Sequence, residues 1–525
     1  MTENLGWALD RAVAVAADRL AVVDGDRRLT YAELGRRVAA MGTGLHGLGV
    51  KRGDVVGVLS LNSLTHLECW LGIPRHGAIL NDLNYRLSPA ELSFVVDDCD
   101  TAVLIVDDAH LPVGRAILES SRSLRHLICM GSGAAPGDTI AYEDLVAGDV
   151  EPSPVVDGGD LAGIFYTGGT TGRPKGVMLT HDNLVANAKH TIIALGHVSS
   201  DRYLHAAPMF HLADGSQTYA LTWVGGTHVI VPAFDAATVL ETIEREGVTR
   251  TVLVPTMINM VVHHPTAHAY DLSSLRQILY GASPMPEKLQ RTAMELIPSC
   301  DWVQGYGMTE TSPMVTAMSA EDHRRGMMGD EPYASRLRSA GTPIVGVQAE
   351  IRRPDGALAD VGEIGEIWIR GPNIMAGYWN RPEETAAALP GDGWFRSGDM
   401  AFSDKDAYLY IVDRAKDMII SGGENVYSTE VENVIYEHPA VIEAAVIGVP
   451  DEKWGERIHA VVVISAGATV DQDELIDHCR QRIARFKAPR SVEFRLDPLP
   501  KSGSGKILKR DLREPYWESE HRRVH

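Results

Sequence analysis

The sequence predicts an α/β protein: a large N-terminal domain of parallel sheets layered with helices, and a small α+β domain after it. Three textures along the chain predict this. First, the apolar runs "DVVGVLSL", "TAVLIVDD", "LRHLICMG", "GGTHVIVP", "VTRTVLVP" and "LRQILYGAS" alternate with helical patterns such as "YAELGRRVAAMGTGLHGLG". That is the order of parallel strands joined by crossover helices. Second, from about Gly341 the segments "VQAEIRR" and "GEIGEIWIRG" and the turn "PDG" read as short antiparallel strands joined by tight turns. Third, after "DRAKD" helical spacing returns, with "EAAVIGVP" and "HAVVVISA" as strands beside it.

The elements follow in chain order. The N-terminal "MTENLGWALDRAVAVAADRL" interrupts its apolar positions with Asp10, Arg11, Asp18 and Arg19, so it reads as an amphipathic helix rather than a secretion signal. No stretch reaches the ~18 unbroken apolar residues of a membrane span. In the last texture, Thr429 with Glu432 reads as a capping box ahead of Val431, Val434, Ile435 and His438, and Asp471 with Glu474 opens a second helix. The expected domains are residues 1–413 and 414–525.

The charge balance narrows the partners. With 49 basic and 70 acidic residues the net charge is −21, a field that repels phosphate backbones and anionic lipid. Nucleic acid is therefore not an expected partner. Cys69, Cys99, Cys129, Cys300 and Cys479 include no CxxC pair, so they are expected to be reduced core thiols of a cytoplasmic protein rather than zinc ligands or a disulfide framework.

The stretch "YTGGTTGRPKG", residues 166–176, combines glycines, threonines and Lys175 directly after the apolar "LAGIF". Glycines let backbone N–H groups approach an anion, hydroxyls add donors and the ammonium adds charge, which together suit a polyphosphate. It is not a Walker loop: Gly168 and Gly172 stand four apart, and Lys175 lies three beyond Gly172.

Seven signatures in one order accompany it: "YTGGTTGRPKGVMLTH", "PMFH", "YGASPM", "QGYGMTE", "GWFRSGD", "DRAKDMIISGGENVYSTEVE" and "PLPKSGSGKILKR". Together they resemble the adenylate-forming superfamily of acyl-CoA synthetases, peptide-synthetase adenylation domains and beetle luciferase, and most of all its fatty-acid–CoA ligases. The resemblance implies a large αβ-layered N-terminal domain with a distorted β-barrel subdomain and a mobile C-terminal domain. It implies that a carboxylate and Mg·ATP give acyl-AMP and pyrophosphate, after which coenzyme A displaces AMP. ATP, Mg²⁺ and coenzyme A are thus the expected small-molecule partners, with a monomer or a homodimer both allowed.

Roles carry over by motif. The resemblance assigns Thr167, Gly168, Gly169, Thr170, Thr171, Gly172 and Lys175 to the phosphates, Thr309 to a nucleotide phosphate and Glu310 to Mg²⁺, a hard ion that prefers carboxylate oxygen. Gly281, Ala282 and Ser283, with Gln304, Gly305, Tyr306, Gly307 and Met308, would wall the adenine site, Tyr306 stacking on the base. Asp399 and Arg414 resemble the ribose-binding pair, with Ile411 beside them. Lys416 stands at the hinge position. Gly422, Gly423, Glu424 and Trp454 match positions that line the coenzyme A tunnel. Lys506 resembles the lysine that enters the site during adenylation, where an ammonium ~4 Å from the developing phosphoryl charge at an effective dielectric near ~20 contributes about 4 kcal/mol.

The acid itself is less constrained. His211 in "PMFHLADG" resembles the gate beside the acyl site. Residues 215–223 and 253–260, apolar and methionine-rich, are the expected walls, and Asp214 is expected either to meet a polar substituent or to cap a turn. A medium- or long-chain fatty acid is the first expectation and an aryl acid of the cinnamate or benzoate type the second. A carrier-protein acceptor stays open, and a luciferase-like use or a catalytically silent binding protein is disfavoured by the charged residues retained. Gly168 replaces a serine common among relatives, so weaker nucleotide binding is expected at most.

Overall fold

The computed structural model describes residues 3–131, 137, 139–167, 174–283, 285–414, 417–465, 467–501 and 507–517. Two sheets carry the first part of the chain. One has nine strands, with Leu20–Asp24, Thr227–Ile230, Arg202–His205, Arg250–Leu253, Gln277–Gly281 and Asp301–Gly307 parallel in that spatial order. The other has eight, in which Ile79–Asp82, Val55–Leu59, Thr101–Val106 and His126–Cys129 run parallel and Leu161–Thr167 and Lys175–Thr180 form an antiparallel pair at one side. Val55–Leu59 and Thr101–Val106 are buried at every position, as strands covered by helices on both faces must be.

Local chemistry fixes the helices between. The amphipathic N-terminal helix is Gly6–Ala16. Helix Tyr31–Gly47 starts on a capping box of Thr30 and Glu33, and Pro89–Asp98 on one of Ser88 and Glu91. All five cysteines are free and buried. Among the described residues no helix is long and apolar enough to cross a membrane.

The stretch after Gly341 is a four-stranded antiparallel sheet of Gln348–Arg352, Gly365–Arg370, Phe395–Ser403 and Leu409–Arg414. Beyond it a five-stranded sheet gathers Ile419–Ser421, Glu424–Val426, Val441–Asp451, Gly455–Ile464 and Ser491–Arg495, with helices Ser428–Tyr436, Gln472–Arg480 and Lys509–Trp517. Its core of Ile419, Val431, Ile435, Val446, Val462 and Leu475 is separate from the larger cores of the first part. Asp471 caps its helix by accepting the Glu474 amide at 2.8 Å. The Thr429–Glu432 capping box does not form. Helix Ser428–Tyr436 begins after Tyr427 without a side-chain cap, because Glu432 is taken by the Val446 amide at 2.7 Å and Lys509 Nζ at 2.7 Å.

Candidate active site

A cleft of about 610 Å³ opens where the three sheets of the first part meet. The nine-stranded sheet brings the carboxyl ends of its parallel strands to it, the usual binding edge of an open α/β sheet. Gly281 and Gly305 are register partners there, and a Cβ on Gly281 would lie 2.1 Å from the Gly305 carbonyl oxygen. Glycine is required for that approach. Tyr306, Gly307, Met308 and Ala282 continue the same wall.

The eight-stranded sheet supplies the opposite side. Thr167 and Lys175 end the antiparallel pair directly across from each other and both line the cleft. Gly168, Gly169, Thr170, Thr171 and Gly172, between them, lie outside the described residues. Lys175 Nζ sits 5.3 Å from the centre of the Tyr378 ring, a cation–π distance. The Tyr378 hydroxyl in turn donates to Glu310 Oε1 at 3.0 Å. Burial, with Glu310 next, pushes the Tyr378 phenol well above the ordinary tyrosine range, so it is a fixed donor.

The four-stranded sheet closes the third side. Asp399 and Arg414 are cross-strand partners, which brings Arg414 Nε to 3.5 Å from Asp399 Oδ1. The Tyr306 hydroxyl donates to the other oxygen, Oδ2, at 2.8 Å. Asp399 is therefore held by a cation on one side and a phenol on the other, with its backbone amide donating to Ser397 Oγ at 3.0 Å.

Glu310 offers one further oxygen to the cleft and stands with Thr309 in the short turn Thr309–Thr311. Among the described residues no group of three His, Cys, Asp or Glu side chains is arranged to hold a metal ion by itself. A single half-buried carboxylate suits a Mg²⁺ ion bound mainly by phosphate oxygens and water.

The apolar end of the cleft is formed by Phe165, Phe210, Leu212, Val252, Val254 and Met314. His211 lines it as well, and its Nδ1 accepts the Ala213 amide at 3.2 Å, which leaves the proton on Nε2. Polar side chains interrupt this lining, among them Asp82, Asn84, Gln217 and Thr191. Among the described residues the Thr191 hydroxyl makes only long contacts, 3.5 Å to Asn187 Oδ1 and 4.0 Å to Met314 Sδ.

Several expected positions lie elsewhere. Gln304 turns toward the Tyr280 hydroxyl at 3.4 Å, Ile411 packs on the large core, and Ser283 stands off the cleft wall. Of the expected wall at 253–260, Val254 lines the cleft but the methionines do not, because helix Pro255–Val262 buries Met257 in the neighbouring core and turns Met260, 54% exposed, to solvent. Asp214 neither caps a turn nor faces the cleft. It is fully buried, accepting from Tyr203 OH at 3.2 Å and paired with His205 Nδ1 at 2.7 Å, and His205 continues to His228 at 3.0 Å. Tyr378 and Thr191 carry no sequence signal of their own, whereas Gln217 falls within the expected wall at 215–223; Tyr378 is found only through its pairing with Val177 in a two-residue strand.

The C-terminal part touches this cleft through Ile507 and Leu508. Lys506, the preceding residue, and Lys416 lie outside the described residues. Gly422 and Gly423 form the tight turn between Ile419–Ser421 and Glu424–Val426, with φ of +64° and +85°, a conformation open to glycine. A Cβ on Gly422 would lie 2.7 Å from Trp454 Cε3. Trp454 carries Lys453 Nζ and the Arg490 guanidinium at 4.8 and 4.4 Å from its ring, and Glu424 is exposed beside this turn.

Comparison with known proteins points the same way. Residues 9–379 match the family described as AMP-binding enzyme, and residues 430–506 match the AMP-binding enzyme C-terminal domain. A feruloyl-CoA synthase from Amycolatopsis sp is 42% identical over 98% of this chain and 99% of its own. A long-chain-fatty-acid–CoA ligase from Thermus thermophilus is 36% identical over 98% and 95%. The crystal structure of an anthranilate CoA ligase in complex with anthranoyl-AMP superposes with a TM-score of 0.88 at 28% identity, covering 98% of this chain and 97% of that one.

Proposed function

The chain belongs to the AMP-binding enzyme family and is an ATP-dependent, AMP-forming acyl-CoA ligase, and on that premise we propose that its acid is a compact aryl carboxylate of the hydroxycinnamate type. The cleft supports this reading in that nucleotide and acyl group share it, with the flat rings of Phe165 and Phe210 among its apolar walls. Gln217 and Thr191 support it too. An alkyl tail would cover these polar groups without replacing their hydrogen bonds, at ~1–3 kcal/mol each, whereas a ring hydroxyl or methoxy oxygen pairs with them.

In the first half-reaction Thr167, Lys175 and Thr309 hold the phosphates, while Asp399 and Arg414 accept and donate to the ribose. Glu310 would hold Mg²⁺, which when bound supplies neutralising charge to the phosphates. The substrate carboxylate attacks the α-phosphorus; a P–O bond forms to it as the bond to pyrophosphate breaks. Lys506 serves this step by placing its ammonium where charge gathers on the five-coordinate phosphorus, an interaction stronger in the transition state than before it. His211 orients the acyl group at the cleft edge.

In the second half-reaction the sulfur of coenzyme A attacks the acyl carbon and AMP leaves. The C-terminal domain, residues 414–525, turns about Lys416 to bring Gly422 and Gly423 to the site, so that the pantetheine arm passes along glycine backbone. Trp454, between Lys453 and Arg490, offers a stacking surface and two cations to the nucleotide end of coenzyme A.

The test is thioester formation measured over one panel of hydroxycinnamates, benzoates, octanoate and palmitate. The expected order puts the hydroxycinnamates at least tenfold above the alkyl acids in kcat/KM, since one satisfied buried hydroxyl is worth about that much. A preference for palmitate would overturn the aryl reading and leave the ligase activity in place.

A further inference from the structure

We propose that Asp413 is a positioning residue for acyl-adenylate formation: a latch that holds the C-terminal body in the orientation bringing Ile507 and Leu508 to the nucleotide cleft. Asp413 is the penultimate residue of strand Leu409–Arg414 and is 5% exposed. It neighbours Arg414, whose side chain faces Asp399. Its Oδ1 accepts the Arg414 amide at 2.8 Å. Its Oδ2 accepts both the backbone N–H and the hydroxyl of Ser428, at 2.5 and 2.6 Å.

Ser428 passes the connection on. Its Oγ accepts from Lys509 Nζ at 2.5 Å, and Lys509 pairs with Glu432 at 2.7 Å. Lys509 opens helix Lys509–Trp517 one residue after Leu508, which lines the cleft with Ile507. Ser428, Glu432 and Lys509 all follow Lys416 in the chain, whereas Asp413 precedes it. The Asp413–Ser428 pair therefore spans the pivot, and any turn of the C-terminal body about Lys416 separates the two residues. A carboxylate that accepts two donors at one oxygen in a buried setting is directional as well as strong, so the pair favours one orientation. That orientation is the one with residues 507–508 at the cleft. Release of the same pair has to precede entry of the coenzyme A thiol.

This inference rests on the two-step reading above, and the two can fail separately. The variants are Asp413→Asn and Ser428→Ala, with Ser428→Thr as the conservative change that keeps the hydroxyl. Acid-dependent ATP–pyrophosphate exchange reads the first half-reaction, and thioester formation from a supplied acyl-adenylate and coenzyme A reads the second. Exchange is expected to fall about tenfold in Asp413→Asn and Ser428→Ala, as loss of a charge-assisted hydrogen bond implies. The second half-reaction stays unchanged or speeds up, and Ser428→Thr retains most exchange. A merely structural role would lower both half-reactions together. That outcome, or unaltered exchange in a variant that melts with the wild type, overturns the latch; Ser428→Ala carries the test if Asp413→Asn does not fold. Wild-type protein without exchange would instead overturn the functional reading, and the latch with it.

Discussion

Replacing Tyr306 with phenylalanine tests the nucleotide site at a single atom. The Tyr306 hydroxyl donates to Asp399 Oδ2 at 2.8 Å, and the other oxygen of Asp399 has Arg414 Nε at 3.5 Å. Asp399 is 6% exposed, so the lost donor is not replaced by bulk water. Burial, and then the charge of Asp399, push the Tyr306 phenol well above its ordinary range, which keeps the proton in place throughout the neutral range. A hydrogen bond to a charged group contributes ~1.5–3 kcal/mol; about 2 kcal/mol corresponds to roughly 30-fold in an equilibrium constant. In the proposed role the carboxylate contacts ribose before and during the chemical step, so the loss belongs to uniform binding and enters KM. Initial rates of acid-dependent pyrophosphate exchange against ATP concentration measure it. The expected result is a KM for ATP raised roughly 30-fold with kcat within about threefold of wild type, equally at pH 6.5 and 8.5. A fall in kcat at unchanged KM, or no change in either, would refute the reasoning.

Three more predictions follow from other parts of the molecule. Lys506→Ala should lower acyl-adenylate formation about a thousandfold, the equivalent of ~4 kcal/mol, while sparing thioester formation from a supplied acyl-adenylate; equal loss in both steps would remove the lysine from its role. Gly422→Ala forces a Cβ to 2.7 Å from Trp454 at a φ of +64°, so thioester formation should slow about tenfold or more while pyrophosphate exchange holds. Acid should destabilise the fold. His76, His181 and His323 are each pushed down to about 4 by burial, against ~6.5 unfolded. Between those values the unfolded chain binds more protons, so stability is lost as pH falls, by about 2 kcal/mol per histidine at pH 5. Thermal melts at pH 7.5 and 5 check this, and a melting temperature that rises at pH 5 contradicts it.

The layered sheets were legible because their strands hold short, mostly apolar runs: "TAVLIV" lacks the alternation of a half-exposed strand, and Thr101–Val106 is buried throughout. The antiparallel stretch was legible from its turns. The cleft was legible as motifs but not as an arrangement, since Asp399 and Arg414 meet through cross-strand register, and register is not written in local composition. Tyr378 escaped because a two-residue strand has no periodicity to read. Thr429 and Glu432 show the opposite error. The spacing is right for a capping box, but the half-buried Lys509 ammonium competes for the same carboxylate, and a charge pair outweighs a cap worth ~1 kcal/mol. Asp214 was misread for a similar reason, because His205 and Tyr203 lie on another element and only the fold brings them to it.

A single-turnover quench with ATP labelled at the α-phosphate tests the central claim most directly. Enzyme is mixed with the labelled nucleotide and a hydroxycinnamate, first without coenzyme A and then with it. The account predicts label in an acyl-adenylate, stoichiometric with enzyme, that passes to free AMP as thioester appears on addition of the thiol. Label released as AMP or ADP with no acid-linked species before the thiol arrives would contradict it.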